Sequence, residues 1–310
     1  MHVLAVLAAA MLFGTTGTSQ ALGPEGTTPL SIGVMRMVIG GTGLAVLAFA
    51  LAARHARRRP VDAAPRLRLG WRPLSLMVLT GACLALYQPL FFLGTARNGV
   101  AVGTVVALGS APILAGLLEW ALTRRMPTPT WMGATALATL GVVLLGFGGQ
   151  SGGSGGTDPV GLLGSIGAGA SFAVIANAQR RLLDSGWDPF TVVGAMGASS
   201  AVICAFGLPF VDLAWLGTAS GIAMALWLGL GTISVAYVLF TWGLSGLTAA
   251  TAATLTLGEP LTAAVLGIVV LGERLSALAV VGLIVLGAGL ALLAWGSRAP
   301  RDPAPFAVEA

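Results

Sequence analysis

The chain has no lysine, two histidines, two cysteines and two tyrosines, and 9% of its 310 residues are charged. A soluble domain carries about 25% charged residues, so an aqueous globular fold is excluded. His2 and His55 fall outside the long apolar runs, and no HExxH, P-loop or cluster of metal ligands occurs. An ATP-driven pump or a metal-dependent enzyme is hard to assemble from that inventory, so no catalytic residue, metal or cofactor is expected. Cys83 and Cys204 each lie inside an apolar run. Placed in hydrocarbon and far apart in sequence, they read as small packing residues rather than a disulfide framework. Short alternating apolar segments are missing too, which argues against a membrane β-barrel.

What is present is apolar length. The chain is 56% hydrophobic with a mean hydropathy of +0.92. A helix needs about 20 apolar residues to cross the hydrocarbon, and backbone amides in lipid must be satisfied within the segment. Ten such runs occur, at roughly 3–21, 31–53, 73–94, 99–121, 130–149, 159–178, 190–211, 219–242, 247–271 and 277–296. We number them spans 1 to 10. The first could be mistaken for a signal peptide ending near Ser19-Gln20-Ala21, but it has no basic residue ahead of its apolar stretch. It is expected to stay.

The chain also repeats itself. Phe13, Gln20 and Pro29-Leu30-Ser31-Ile32 are answered by Phe172, Gln179 and Pro189-Phe190-Thr191-Val192. Leu108-Gly109-Ser110-Ala111-Pro112 is answered by Leu257-Gly258-Glu259-Pro260, and Gly133 with Gly148 by Gly282 with Gly296. The division is a first five-span repeat over 1–149, a Gly/Ser-rich linker over 150–157, a second repeat over 158–297 and a Pro-containing tail over 298–310. An odd number of spans per repeat forces the copies to lie upside down relative to each other. The expected fold is therefore an all-α membrane protein of ten transmembrane helices in two inverted five-helix repeats, an architecture used by alternating-access carriers.

Charge fixes the expected orientation. With the N-terminus inside, thirteen arginines face the cytoplasm (seven of them between Arg54 and Arg72) and only Arg97 and Arg274 face out, while Arg36 lies within span 2. That is a strong positive-inside bias. It predicts a multi-pass protein of the bacterial cytoplasmic (inner) membrane with both termini cytoplasmic. It also explains the net charge of +5 without nucleic acid, leaving anionic lipid as a secondary partner.

Polar groups within the spans mark the candidate site. Glu259 lies near the middle of span 9, where a charge costs about 2.5–3.5 kcal/mol, so it should face a cavity or the bundle interior. Pro260 frees a carbonyl one turn earlier, near Thr256, and predicts a kink. Glu259 is the candidate coupling residue, with a purely structural hydrogen bond as the alternative. Tyr87 and Gln88 in span 3, Tyr237, Thr241 and Trp242 in span 8 and Asn177 at the end of span 6 are the candidate substrate-binding residues. Ser234, Tyr237, Thr241 and Ser245 follow helical spacing and predict one polar stripe. Glu119 and Arg36 read as interface anchors or ion-pair partners.

The stretch from Leu257-Gly258-Glu259-Pro260 through Gly272-Glu273-Arg274 to Gly282 resembles the hallmark of EamA-type carriers in the drug/metabolite transporter superfamily. Pro29 to Arg36 and Gly99 to Pro112 resemble the matching parts of the first copy, so the resemblance covers residues 1–297. It implies a central cavity lined mainly by spans 1, 3, 4, 6, 8 and 9, and export of amino acids, related metabolites or drugs. The chain departs from the pattern where Arg124-Arg125 stands in place of a Gly-Glu corner, and where Ser110-Ala111 stands opposite Glu259. Glu273 reads as a corner residue.

The function expected is secondary transport of a small-molecule solute, with protons as a candidate coupling ion. The alternatives are an uncoupled facilitator and a non-transporting membrane sensor or assembly partner.

Overall fold

The computed structural model describes residues 1–58, 70–148, 158–272 and 274–296. The linker over 150–157, Glu273 and the tail over 298–310 lie outside them. The described chain is helical, and ten helices correspond to the ten spans. They are His2–Ala21, Pro29–Arg57, Trp71–Val100, Val102–Thr123, Pro129–Gly148, Pro159–Asp184, Pro189–Ala205, Ala219–Leu244, Ala249–Leu271 and Ala277–Gly296. Nine are long and apolar enough to cross a membrane, and span 7 is shorter at 17 residues.

Local chemistry sets the ends. Spans 2, 5, 6 and 7 begin on proline, whose missing N–H costs nothing in a first turn. Asp158, Asp188, Thr218 and Thr248 cap the helices that follow them with side-chain oxygens. Spans 3 and 4 meet at Gly99, whose φ of 78° and ψ of 157° break the helix. A side chain there would be strained, so the turn depends on glycine. Span 6 is longer than the sequence suggests. It continues to Asp184, which places Arg180 and Arg181 inside the helix.

The helices pack through small residues. A Cβ built on Gly141, Gly282 or Gly289 would meet the facing backbone of spans 10 and 5 at 2.4 to 2.6 Å. Gly41 and Gly197 bring spans 2 and 7 together, and Gly94, Gly161 and Gly164 do so for spans 3 and 6. Lipid gives no hydrophobic drive between helices, so close approach supplies the packing energy. The pairings follow a pattern. Spans 2 and 7 pack on each other, as do 5 and 10. The contact of 3 with 6 has its mate in 8 with 1, that of 4 with 6 in 9 with 1, and that of 2 with 8 in 7 with 3. Exchanging each span with the one five places away leaves this pattern unchanged.

Arg54, Arg57, Arg72, Arg124, Arg125, Arg180 and Arg181 gather at one end of the bundle, hereafter the basic end, which also carries His2 and the turn between spans 8 and 9. At the other end Arg97 donates to Asp158 at 3.0 Å, and the Asn98 side-chain amide donates to the Asp158 carbonyl at 3.1 Å and accepts from the Asp158 N–H at 2.7 Å. These join the corner of spans 3 and 4 to the start of span 6. The Arg97 hydrogen bond, with the amides of Gly161 and Val160, holds the Asp158 carboxyl below its ordinary value. A depressed carboxyl stabilises the fold above its ordinary value and loses that contribution as pH falls through the lowered one. Asp158→Asn is therefore expected to lower the unfolding midpoint in detergent at pH 7, and by progressively less as the pH falls below about 4. A loss that is the same at every pH would show that the ion pair contributes nothing.

Candidate functional site

At mid-depth, the first and second halves of the chain enclose a cavity. Its walls come from Phe13 of span 1, Arg36 and Met37 of span 2, Leu84, Tyr87 and Gln88 of span 3, Leu108 and Ala111 of span 4, Phe172 of span 6, Ile233 and Tyr237 of span 8, and Thr256, Leu257 and Glu259 of span 9. Its volume is about 60 Å³, room for about four waters or a very small solute.

Span 9 is broken at this level. Its first part ends at Leu255 and its second begins at Gly258. Pro260 cannot donate to the carbonyl of Thr256. The Glu259 amide takes that carbonyl instead, at 2.9 Å, and Glu259 lies in the first turn of the second helix. The expected kink is present.

Arg36 reaches the same cavity from span 2, so it is more than an interface anchor. Its Nη2 donates to Thr16 Oγ1 at a long 3.4 Å, and its Nε is buried with no partner. No hydrogen bond or ion pair joins Arg36 to Glu259 among the described residues, yet both side chains line the one space. A buried guanidinium nitrogen without an acceptor is costly, and an anion would satisfy it. Tyr87 and Tyr237 flank the charges. Tyr87 stacks on Phe91 with centroids 6.1 Å apart, and Tyr237 meets Phe13 edge-on at 5.2 Å.

Of the expected site residues, Tyr87, Gln88, Tyr237 and Glu259 meet at the cavity. Asn177, Thr241 and Trp242 are not among its walls. Asn177 lies inside the lengthened span 6, 2% exposed, and donates to the carbonyls of Ala115 and Ala173. Thr241 donates to Gln179 Oε1 at 2.9 Å. Trp242 packs against the His2 ring at 5.2 Å, near the basic end. The predicted stripe on span 8 is split because Trp227–Val235 forms a π-helix, which changes the angle between successive side chains. Ser234 is turned toward the Gly40 carbonyl, at 2.9 Å, instead.

Toward the basic end the packing closes. Phe172 and Phe240 touch with centroids 5.5 Å apart, above the buried Gln179–Thr241 bond. Below them two charged side chains grip the turn between spans 8 and 9. Arg180 donates to the carbonyls of Leu244, Ser245 and Leu247 at 2.8 to 3.2 Å, and also to Asp184. Glu119 Oε2 accepts from the Ala250 amide at 2.7 Å. A cation thus meets the carbonyl end of one helix and an anion meets the amide end of the next, the favourable polarity for both. To the expected interface or ion-pair role of Glu119 the structure adds this long-range cap.

Ten apolar helices around a buried cavity holding one cation and one carboxyl group define a multi-pass membrane transporter. The chain belongs to the EamA-like transporter family, whose model matches residues 1–147 and 159–295. It is 38% identical over 301 residues to the protein of Bacillus subtilis (strain 168) named "Uncharacterized transporter YwfM", covering 97% of this chain and 95% of that one. A solved structure described as "Crystal structure of protein" superimposes with a TM-score of 0.75 at 20% identity, over 96% of this chain and 97% of that one. At that identity the likeness concerns the fold.

Proposed function

We propose that this chain is a secondary carrier, not an enzyme, that moves a small zwitterionic solute of amino-acid type across the bacterial cytoplasmic membrane by alternating access. The observation that carries the reading is the unpartnered Arg36 guanidinium in one small cavity with Glu259. A solute carboxylate would satisfy Arg36 Nε, and its amine would meet Glu259. Gln88 would orient the polar part, while Phe13, Phe172 and the two tyrosines would cover the apolar part.

The symmetric pairing of spans supports two inverted five-helix units that rock about this site. The division at 1–149 and 158–297 is the natural one for those units, with the linker between them. The basic end would face the cytoplasm, with both termini there. The closed packing at that end then corresponds to a state shut toward the cytoplasm, and release of the Arg180 and Glu119 grips would accompany opening to it.

Glu259 begins a broken helix and faces the cavity, so it would exchange a proton as the site changes sides. Glu259→Gln is expected to abolish the stimulation of solute flux by a pH gradient in proteoliposomes while the protein remains folded. Gradient-driven flux equal to that of the parent protein would remove Glu259 from coupling. Parent flux indifferent to the gradient would point to an uncoupled facilitator.

A further inference from the structure

A second and larger hollow lies on the outside of the bundle, between spans 4 and 5 near the basic end. Its volume is about 430 Å³, against about 60 Å³ for the central cavity. Its walls include Leu117, Trp120, Met126, Trp131, Met132 and Thr139. Several of these are turned outward. Met126 is 71% exposed and Leu117 53%. In a bilayer such a slot cannot hold water at low cost, so something apolar fills it.

The lower rim is charged. Arg124 and Arg125 directly precede Met126 and Pro127 of the slot, and both arginines are exposed. An apolar slot with exposed cations next in the chain to one end of its wall matches an acyl chain beneath a phosphate. It does not match a second copy of this chain. Two copies meeting across this face about an axis along the membrane normal would oppose Arg124 and Arg125 to themselves, and like charges facing each other disfavour such an interface.

The back wall leads to the site. Trp131 Nε1 donates to Thr254 Oγ1 at 3.1 Å, and Thr135 Oγ1 bonds the same hydroxyl at 2.9 Å. Thr254 belongs to the last turn before the break in span 9, and Thr256 and Leu257 at that break line the central cavity.

We propose that the slot between spans 4 and 5 is a binding site for one anionic phospholipid, its acyl chain along Leu117 and Met132 and its phosphate at Arg124. The lipid would steady Trp131 and, through Thr254, the broken part of span 9.

The test uses the full chain purified in a zwitterionic detergent and titrated with phosphatidylglycerol or phosphatidylcholine. Native mass spectrometry counts bound lipid, and thermal unfolding reads its effect. The site predicts that one phosphatidylglycerol is retained in preference to phosphatidylcholine. Arg124 has a left-handed backbone with φ of 57°, which asparagine tolerates. Arg124→Asn is therefore expected to weaken phosphatidylglycerol binding about fivefold, and Arg124→Lys to restore it. Ala136→Trp, which would fill the slot from its exposed side, is expected to abolish the retained lipid. Equal retention of both lipids, or undiminished retention in Arg124→Asn and Ala136→Trp, would overturn the proposal. So would a dimer captured by cross-linking across Met132→Cys.

Discussion

Arg36→Gln is expected to lower proteoliposome uptake of an amino acid about a hundredfold, while leaving uptake of the corresponding decarboxylated amine nearly unchanged. The magnitude is that of truncating one partner of a buried, hydrogen-bonded charge pair, about 2–5 kcal/mol. Arg36 is suited to that role because its Nε has no protein acceptor and its one hydrogen bond among the described residues, to Thr16, is long at 3.4 Å. Glu259→Gln should show the complementary pattern with a solute that keeps its carboxylate and lacks its amine. The comparison matters because a structural role for Arg36 would lower the uptake of every solute alike. A uniform loss, with a lowered unfolding midpoint, would count against the zwitterion site and in favour of a packing role.

Arg180→Met is expected to lower the unfolding midpoint in detergent by roughly 10 °C. Arg180 donates to three carbonyls at the end of span 8 and to Asp184, whose side chain is 1% exposed. Removing the cation leaves a buried carboxylate and the end of a helix without partners. Breaking a buried ion pair from one side costs about 3–5 kcal/mol, and each kilocalorie is worth about 2–4 °C in a protein of a few hundred residues. Asp184→Asn added to Arg180→Met should recover part of the loss, because the stranded charge is then gone. If the double variant is no more stable than the single one, the carbonyl contacts rather than the ion pair dominate.

Much of this arrangement is legible in the sequence. Hydropathy and arginine placement are properties of whole segments, so ten spans and a basic end follow without knowledge of contacts. Glu259 is legible because a carboxyl group deep in an apolar run must face something polar, and Pro260 announces the break beside it. The other half of the site is harder to read. Arg36 lies only seven residues into its span, where a long side chain could as well reach the interface. Asn177 and Thr241 are misplaced for a different reason. Helical spacing gives the face of a residue but not what closes over it, and both lie nearer the basic end than the cavity, past the contact of Phe172 with Phe240. Both residues also find partners on the same or adjoining spans, Ala115 and Ala173 for Asn177 and Gln179 for Thr241. The bond between Glu119 and the Ala250 amide joins residues 131 positions apart. No local pattern encodes it.

The unmet guanidinium in the cavity bears on the order in which such a carrier works. An empty site with a bare cation and a carboxyl group keeps its water, because stripping that water away is expensive. A bound solute that answers both groups removes most of the expense. On the proposed mechanism, closure of the loaded site would then be easier than closure of the empty one. Exchange of one solute for another across the membrane would outpace net movement, with the return of the empty carrier as the slow half of the cycle.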